Sequence, residues 1–482
     1  MNLIHKIFAL STISSLMLIS GCNNDKSPSQ DESYKAVDIT ILHTNDHHSY
    51  LEGQTYDLKI DHDESAEGVE DIRLNLGGFS RIASAISEYR DTNTLVINSG
   101  ELNGTLYFSL YKGEVDVKVF NYLNLDAYQL GNHEFDEGEA RLAELIEMAN
   151  FPIISGNVHP TADSPLYNSD IKPYVIKEID DEKVAILGVL KVEKTRESSL
   201  VTNAVEFTDE ITSVKAHVAD LTEQGVNKII LLSHLGYDFD QVLATQVTGI
   251  DIIVGGDTHN ALDSTGELAK LGVNVTGEYP SVVNNPNNEP VYIVQAWEYA
   301  KGLGKLNVSF DADGKVTEIG GHLELLVGQP YQVKNESGSW VDASVAKIAD
   351  ISKAISNVSS IREIEEDVDV PFAVIENVPV FPGCENDSDK RACFNKMMQE
   401  HISKNFRYPE LAQEMGIQGR VSVMFTIQTD GSIGNVRMRS PDKNLEREAT
   451  RIISKLPKMI PGRQRGRVVR VPYSIPITFK LR

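Results

Sequence analysis

Short apolar segments that each end in polar residues constrain this chain more than any other feature. Five of them predict buried strands because they are rich in β-branched and aliphatic residues, and helical patterns separate them. They span residues 37–43, 94–98, 126–130, 228–234 and 251–255. Continuous apolar strands that alternate with helices predict an α/β domain whose sheets are covered by helices. The polar strand ends would then gather at one edge, where loops carry chemistry.

The residue types at these strand ends are those that bind divalent metals. They are Asp46, His48, Glu101, Asn132, His133, Asp136, His234, Asp257 and His259. Taken singly, each one is also explained as a turn residue, a helix cap or a buried hydrogen-bonded polar group. As a set, histidine, carboxylate and amide ligands favour borderline or hard divalent metals, and the lack of thiols argues against a closed structural zinc site. Two such ions can hold a phosphoryl oxygen and activate a water molecule.

These motifs resemble, in order and spacing, the metallophosphoesterase signature and specifically its periplasmic 5′-nucleotidase branch. The resemblance covers about residues 37–328 and implies a four-layer αββα sandwich that binds a phosphoester, with a nucleotide as the substrate that this branch suggests. It also implies two divalent ions, either Mn²⁺, Mg²⁺ or Zn²⁺. By position, one ion is held by Asp46, His48 and His259, the other by Asn132, His234 and Asp257, and Glu101 bridges them. His133, paired with Asp136, matches the catalytic dyad that stabilises the transition state or protonates the leaving group.

Two positions depart from the family pattern. Glu101 stands where the family has Asp, and Asp257 stands where it has His. Both still offer oxygen ligands, and the extra carboxylate favours hard cations such as Mn²⁺ or Mg²⁺. The main hypothesis is therefore a metal-dependent phosphoester hydrolase of the 5′-nucleotidase type. The alternative is a catalytically impaired phosphoesterase fold that serves as a binding or scaffold lipoprotein.

The N-terminus predicts export and lipid anchoring. Residues 1–21 contain a charged start and a short apolar run, as in a secretion signal. Residues 19–22, Ile-Ser-Gly-Cys, resemble a bacterial lipoprotein cleavage box, which implies acylation of Cys22. Residues 22–36 would form a flexible tether. We therefore expect a Gram-negative envelope protein, anchored to the outer membrane and facing the periplasm or the surface.

The C-terminal part differs in charge and pattern. Residues 390–482 carry a net charge of +12, whereas residues 1–389 carry −37, which indicates separate domains. Residues 329–374 predict a helical linker, either a docking helix or one that binds a partner. Residues 375–482 predict a small α+β module in which Cys384 and Cys393 are close enough for a disulfide in an exported chain.

This last module resembles a TonB C-terminal domain, through Pro382-Gly383-Cys384, residues 406–409 (Phe-Arg-Tyr-Pro) and residues 472–477 (Pro-Tyr-Ser-Ile-Pro-Ile). The resemblance implies that a strand edge pairs with a short peptide of an outer-membrane transporter or another envelope protein. In that family, transmission of force also requires an inner-membrane helix. The apolar N-terminal segment here is predicted to be cleaved, so we expect a docking role. The positive charge either favours anionic envelope polymers or offsets the acidic domain. We expect no nucleic-acid partner.

Overall fold

The computed structural model describes residues 34–62, 68–364, 372, 375–464 and 467–481. The predicted signal peptide (1–21), Cys22 and most of the predicted tether (22–36) lie outside the described residues. No helix of the described chain combines the length and the apolar character needed to span a bilayer.

The elements of the first domain follow one another in this order. They are β1 Val37–Thr44, β2 Gln54–Ile60, β3 Glu70–Leu76, α1 Phe79–Tyr89, β4 Thr94–Asn98, α2 Leu106–Tyr111, α3 Glu114–Leu123, β5 Ala127–Gln129, a 3-10 turn His133–Phe135, α4 Glu139–Met148, β6 Ile153–Ile154, β7 Val158–Pro160 and β8 Ile171–Lys172. Next come β9 Tyr174–Ile179, β10 Glu182–Leu190, α5 Val192–Ser198, β11 Val205–Phe207, α6 Glu210–Glu223, β12 Ile229–His234, α7 Tyr237–Ala244, β13 Ile252–Val254, β14 Ala261–Leu262, α8 Glu267–Lys270 and β15 Val275–Gly277. The last ones are β16 Ser281–Asn284, β17 Pro290–Val294, β18 Gly302–Phe310, β19 Val316–Lys334, β20 Trp340–Asp342, α9 Val345–Ile355 and β21 Ile361–Glu363.

The two largest sheets form the inner layers of this domain. One sheet has the strand order β2-β3-β19-β18-β1-β4-β5-β6-β8, with β20 and β21 also paired to β19. The other has the order β16-β17-β13-β12-β10-β9. Strands β1, β4, β5 and β6 run parallel, as do β10, β12, β13 and β17. Their carboxyl ends therefore lie at shared sheet edges, as the sequence predicts.

Apolar side chains of the two sheets pack against each other in one core. Ile41 and Ile97 from the first sheet share it with Ile186 and Leu231 from the second, and all four are almost completely buried. A second core lies on the outer face of the first sheet and joins it to α1, α3 and α4. Apolar residues of α6 and α7 cover the second sheet. This arrangement is the predicted αββα sandwich.

Residues 329–364 belong to the first domain, not to a helical linker as the boundaries 329–374 suggest. Strand β19 continues to Lys334, and β21 pairs with it in parallel, with Leu325 opposite Ile361. Helix α9 is present where the sequence predicts a helix, and it buries Ile351 and Ile355 in the core of the first domain. The apolar face of this helix predicts that it packs against another element, but the sequence pattern does not identify which domain supplies that element.

The C-terminal domain is a small α+β unit. Its elements are α10 Lys390–Asn405, α11 Glu410–Glu414, β22 Gly419–Ile427, β23 Ile433–Arg439, α12 Lys443–Ile453, β24 Arg463–Gln464, β25 Arg467–Val468 and β26 Val471–Phe479. Strand β22 lies between β23 and β26 in an antiparallel sheet. Phe394, Phe425 and Ile452 belong to the core of this unit, which is separate from the other two. Cys384 and Cys393 form a disulfide.

Candidate metal centre

The loops after β1 and β13 carry four of the expected ligands in an unusual backbone conformation. Asp46 and His48 both have φ of 45°, Asp257 has φ of 77° and His259 has φ of 56°. Non-glycine residues seldom adopt positive φ, and such strain persists only where the surroundings fix it. Here the Asp257 amide donates to both carboxylate oxygens of Asp46 at 3.0 Å, which ties the two loops together.

Asp46, His48 and His259 form the first group of donors. The His48 Nε2 and His259 Nε2 atoms lie 3.2 Å apart, and the Asp46 Oδ1 atom lies 3.7 Å from His259 Nε2. One atom from each residue falls within 4.8 Å of the others. His259 is oriented from behind by Glu298, whose Oε2 atom is 2.9 Å from His259 Nδ1. A carboxylate behind a ligating histidine fixes its tautomer and strengthens it as a ligand.

Asp46, Glu101 and His234 form the second group, again within 4.8 Å. Glu101 lies between the groups, because its Oε1 atom is 3.4 Å from His234 Nε2 and its Oε2 atom is 3.4 Å from His48 Nε2. Gly131 makes room for this approach. A Cβ atom at Gly131 would lie 2.8 Å from Glu101 Cγ and 2.9 Å from His234 Nε2. The Glu101 carboxylate thus lies between His48 of the first group and His234 of the second, and Asp46 belongs to both groups.

The donors fit divalent cations. His234 donates through Nδ1 to the Ser99 carbonyl (2.6 Å), while its buried Nε2 has no hydrogen-bond partner among the described residues. The Asn132 Oδ1 atom is also buried, and no described residue donates a hydrogen bond to it. Buried polar atoms are costly unless they are satisfied, and a cation would satisfy both. The mixture of oxygen and imidazole donors suits Mn²⁺, Mg²⁺ or Zn²⁺.

The pKa shifts of His234, Asp46 and Glu101 also indicate that this site stabilises positive charge. Burial alone would lower the pKa of His234, but the negative charges of Glu101 and Asp46 raise it to about 10. Burial raises the pKa of Asp46 to about 6, against the opposing effects of His234 and His259. Burial would also raise the pKa of Glu101, yet the neighbouring His234 brings it below its usual range. The site therefore stabilises positive charge at the position of His234 Nε2.

His133 and Asp136 lie beside the first group. The His133 Nδ1 atom is 2.7 Å from Asp136 Oδ2, and the His133 and His48 ring centroids are 5.6 Å apart. The His133 amide donates to Glu101 Oε1 at 2.8 Å. Burial alone would lower the pKa of His133, but the hydrogen bond to Asp136 and the nearby carboxylates outweigh burial, so the pKa is raised. This imidazole is therefore more readily protonated than a free histidine.

Asp257 and Asn132 lie at the border of the second group. The Asp257 side chain is 3% exposed, and its Oδ1 atom is 4.0 Å from His234 Nε2. That same Oδ1 atom also accepts a hydrogen bond from Lys194 Nζ. The Asn132 Nδ2 atom donates to Ser198 Oγ at 3.4 Å. All nine residues expected from the sequence thus lie in one region, with Asp257 held by a lysine that the sequence pattern did not single out.

Sequence reasoning missed four further residues of this region. Asn103 donates through Nδ2 to Asp136 Oδ2 at 2.5 Å, and Glu298 supports His259. The Tyr299 ring lies 5.5 Å from the His48 ring and 5.2 Å from the His259 ring. The fourth is Lys194. None of these residues ends a predicted strand, so the signal that located the ligands does not extend to them.

Comparison with known proteins identifies the families that the two domains resemble. Residues 39–261 match the family model described as calcineurin-like phosphoesterase, and residues 404–481 match the one described as Gram-negative bacterial TonB protein C-terminal. A probable 5′-nucleotidase of Treponema pallidum is 41% identical over 287 residues, which are 59% of this chain and 47% of that protein. The NAD 5′-nucleotidase of Haemophilus influenzae is 38% identical over 341 residues, 70% of this chain and 54% of that protein.

A solved structure extends the comparison. The Haemophilus influenzae NAD nucleotidase superposes with a TM-score of 0.65 at 29% identity, covering 81% of this chain and 77% of that one. The chain spans about half the length of the curated relatives it matches. It contains a calcineurin-like phosphoesterase domain joined to a TonB C-terminal domain. Within the phosphoesterase class, the first domain is of the 5′-nucleotidase type.

Proposed function

We propose that this chain is a divalent-metal-dependent phosphoester hydrolase that acts on nucleotides. The observation that carries the proposal is the position of Glu101, whose two carboxylate oxygens face His234 on one side and His48 on the other at 3.4 Å each. The ligands would be Asp46, His48 and His259 for one ion and Asn132, His234 and Asp257 for the other. Ions bound there would polarise a phosphoryl group and lower the pKa of a coordinated water molecule.

The chain's own residues supply the remaining functions. His133 donates through Nδ1 to Asp136 Oδ2 at 2.7 Å, and Asn103 Nδ2 donates to the same oxygen, which leaves His133 Nε2 as the nitrogen available to a substrate. Because the pKa of His133 is raised by the Asp136 hydrogen bond and the nearby carboxylates, its imidazole holds the second proton to higher pH than a free histidine does. A protonated imidazole can stabilise negative charge on the phosphoryl oxygens or donate its proton to the departing oxygen.

The names of the matched relatives support nucleotides as the substrate class. One is a probable 5′-nucleotidase and another is an NAD 5′-nucleotidase. Adenosine 5′-monophosphate and NAD are therefore the first compounds to test, with a generic aryl phosphate as the unspecific comparison. Preference for the nucleotides over the aryl phosphate would support recognition of the nucleoside.

The second domain supports a location in the Gram-negative envelope. We propose that Cys22 carries a lipid, that the protein is anchored to the outer membrane facing the periplasm or the surface, and that the TonB-like domain docks to an envelope protein. Strands β23 and β26 each pair only with β22 among the described strands, so both are sheet edges to which a peptide strand could add. A lipidation-dependent shift of full-length protein into membrane fractions, lost in Cys22→Ala, would test the anchor.

The activity is tested by phosphate release from full-length protein with Mn²⁺ or Mg²⁺. We expect His133→Ala to lower kcat by about 10²- to 10⁴-fold, the usual contribution of a positioned acid or base. His159→Ala is the matched control, because His159 is exposed and bonds only to Thr208 among its described neighbours. Equal rates for wild type and His133→Ala would contradict the enzymatic role. A large gain in Glu101→Asp with Asp257→His from an inactive parent would support the scaffold alternative.

A further inference from the structure

The two groups of donors differ in the positively charged side chains that lie next to their carboxylates. Within 4 Å of the Asp46 and Glu101 carboxylates, the described part of the first domain places histidine nitrogens and no lysine nitrogen. The first group, Asp46, His48 and His259, is therefore free of fixed competing cations at contact distance. Its one carboxylate, Asp46, is buried, and the cationic side chains within 4 Å of it are the histidines His234 and His259, whose nitrogens can also bind metal.

Asp257 at the second group has such a partner. Its Oδ1 atom is bonded to Lys194 Nζ, and its Oδ2 atom lies 3.8 Å from Lys191 Nζ. The same Oδ1 atom is 4.0 Å from His234 Nε2, the unpartnered nitrogen that faces the centre. The Asp257 oxygen that lies 4.0 Å from His234 Nε2 is thus the one bonded to the Lys194 ammonium.

The fold holds the backbone of Lys194 beside the centre. Helix α5 directly follows β10, and its first residue, Val192, donates its amide to Glu210 Oε1 at 2.8 Å. The next turn buries Thr195 completely, and Ser199 Oγ donates to the Asn132 carbonyl at 2.6 Å. The Lys194 side chain itself is 36% exposed, so the ammonium can leave Asp257 for solvent while the backbone stays in place.

We propose that Lys194 weakens the second metal position by holding Asp257 as an ion pair, so that the two positions fill at different metal concentrations. This inference rests on the proposed function, since both require metal at this centre. One carboxylate oxygen cannot serve an ammonium and a divalent ion equally, and the two cations repel each other at this separation. Binding of the second ion must therefore displace the lysine, while binding of the first does not.

The test measures metal binding rather than turnover. Full-length protein is titrated with Mn²⁺ by equilibrium dialysis with elemental analysis, and electron paramagnetic resonance distinguishes isolated from spin-coupled ions. In wild type we expect the first equivalent to give an isolated Mn²⁺ signal, with the second ion binding about tenfold or more weakly. In Lys194→Met we expect the second dissociation constant to fall about tenfold or more, and the coupled signal to appear at lower Mn²⁺.

Two variants serve as controls. Lys194→Arg keeps the charge and should preserve the wild-type difference between the two ions. Lys191→Met removes the more distant ammonium, 3.8 Å from Asp257, and should change the second constant less than Lys194→Met does. Unchanged constants in Lys194→Met, or a weaker second ion, would overturn the role of Lys194 while leaving the metal centre intact. Absence of Mn²⁺ binding by folded wild type and folded Lys194→Met alike would instead refute the metal centre and the proposed function with it.

Discussion

Acidification should destabilise the first domain through His43. This side chain is 0% exposed, and its Nε2 atom is 2.7 Å from the hydroxyl of Tyr279, which is also buried. The Nδ1 atom has no hydrogen-bond partner among the described residues. A second proton on the ring would therefore create a buried charge without a counter-ion, and burial lowers the pKa of His43 from 6.5 to about 3.

The magnitude follows from the difference in proton binding. Because the pKa is lower in the folded state, the unfolded chain takes up the proton first, and stability is lost as pH falls from about 6.5 toward 3. Below about 3 both states are protonated and the loss levels off. Between pH 7 and pH 5 this group alone should lower the free energy of unfolding by about 2 kcal/mol, at 1.36 kcal/mol per pKa unit.

Urea unfolding followed by tryptophan fluorescence measures this effect in the full chain. Both tryptophans, Trp297 and Trp340, lie in the first domain, so the signal reports on that domain. His43→Gln is the matched variant, because the glutamine amide can still bond to Tyr279 without titrating. Buried carboxyl groups such as Asp240, whose pKa burial raises to about 7, shift stability the opposite way in both proteins and cancel in the comparison. The wild-type advantage over His43→Gln should shrink by about 2 kcal/mol at pH 5, and parallel pH profiles would refute the reasoning.

Three further perturbations test the site and the second domain. Gly131→Ala should reduce Mn²⁺ binding and cost about 1 to 3 kcal/mol, because the new methyl group would crowd Glu101 and His234, whereas Gly320→Ala, with nothing within 4 Å, should do neither. Equal melting of the two variants would contradict this. Replacing Cys384 and Cys393 with alanine should lower the stability of the C-terminal domain by about 2 to 3 kcal/mol in calorimetry, and no change on reducing the wild type would count against it. Removing metal with EDTA should destabilise the first domain by about 2.7 kcal/mol relative to Mn²⁺ at about 100 times its Kd, with the C-terminal transition unmoved. Coincident fluorescence melts with and without Mn²⁺ would contradict metal binding.

The sequence predicted the framework of the first domain because its strands are continuously apolar. The predicted strand at 228–234 is β12 at Ile229–His234, and the one predicted at 94–98 is β4 at Thr94–Asn98. Once these strands are parallel neighbours, their carboxyl ends meet, and the convergence of Asp46, Glu101 and His234 follows from topology. The nine expected residues could be located for this reason.

The rest depended on tertiary packing that no local pattern encodes. Strand β19 continues to Lys334 through Pro330, a residue that favours the end of a strand, because β20 and β21 pair with its far half. Lys194 and Glu298 reach the centre from a helix and a loop whose sequences look like ordinary solvated surface. Their role arises only where the chain brings a buried carboxylate or a ligating histidine within reach.

Charge balance connects these observations. Asp46, Glu101 and Asp257 place three nearly completely buried carboxylates in one region, and isolated buried charge is costly. Two kinds of side chain offset this buried negative charge. Asp257 receives the ammonium of Lys194. Among the described side chains, those that bring a positive charge within 4 Å of Asp46 and Glu101 are imidazoles, whose protonation would compete with metal binding at the same nitrogens. Lys194 offsets the negative charge that Asp257 brings in place of the family's His, so this replacement does not make the centre more anionic overall. The preference for hard cations must therefore come mainly from the oxygen donors of Asp46 and Glu101.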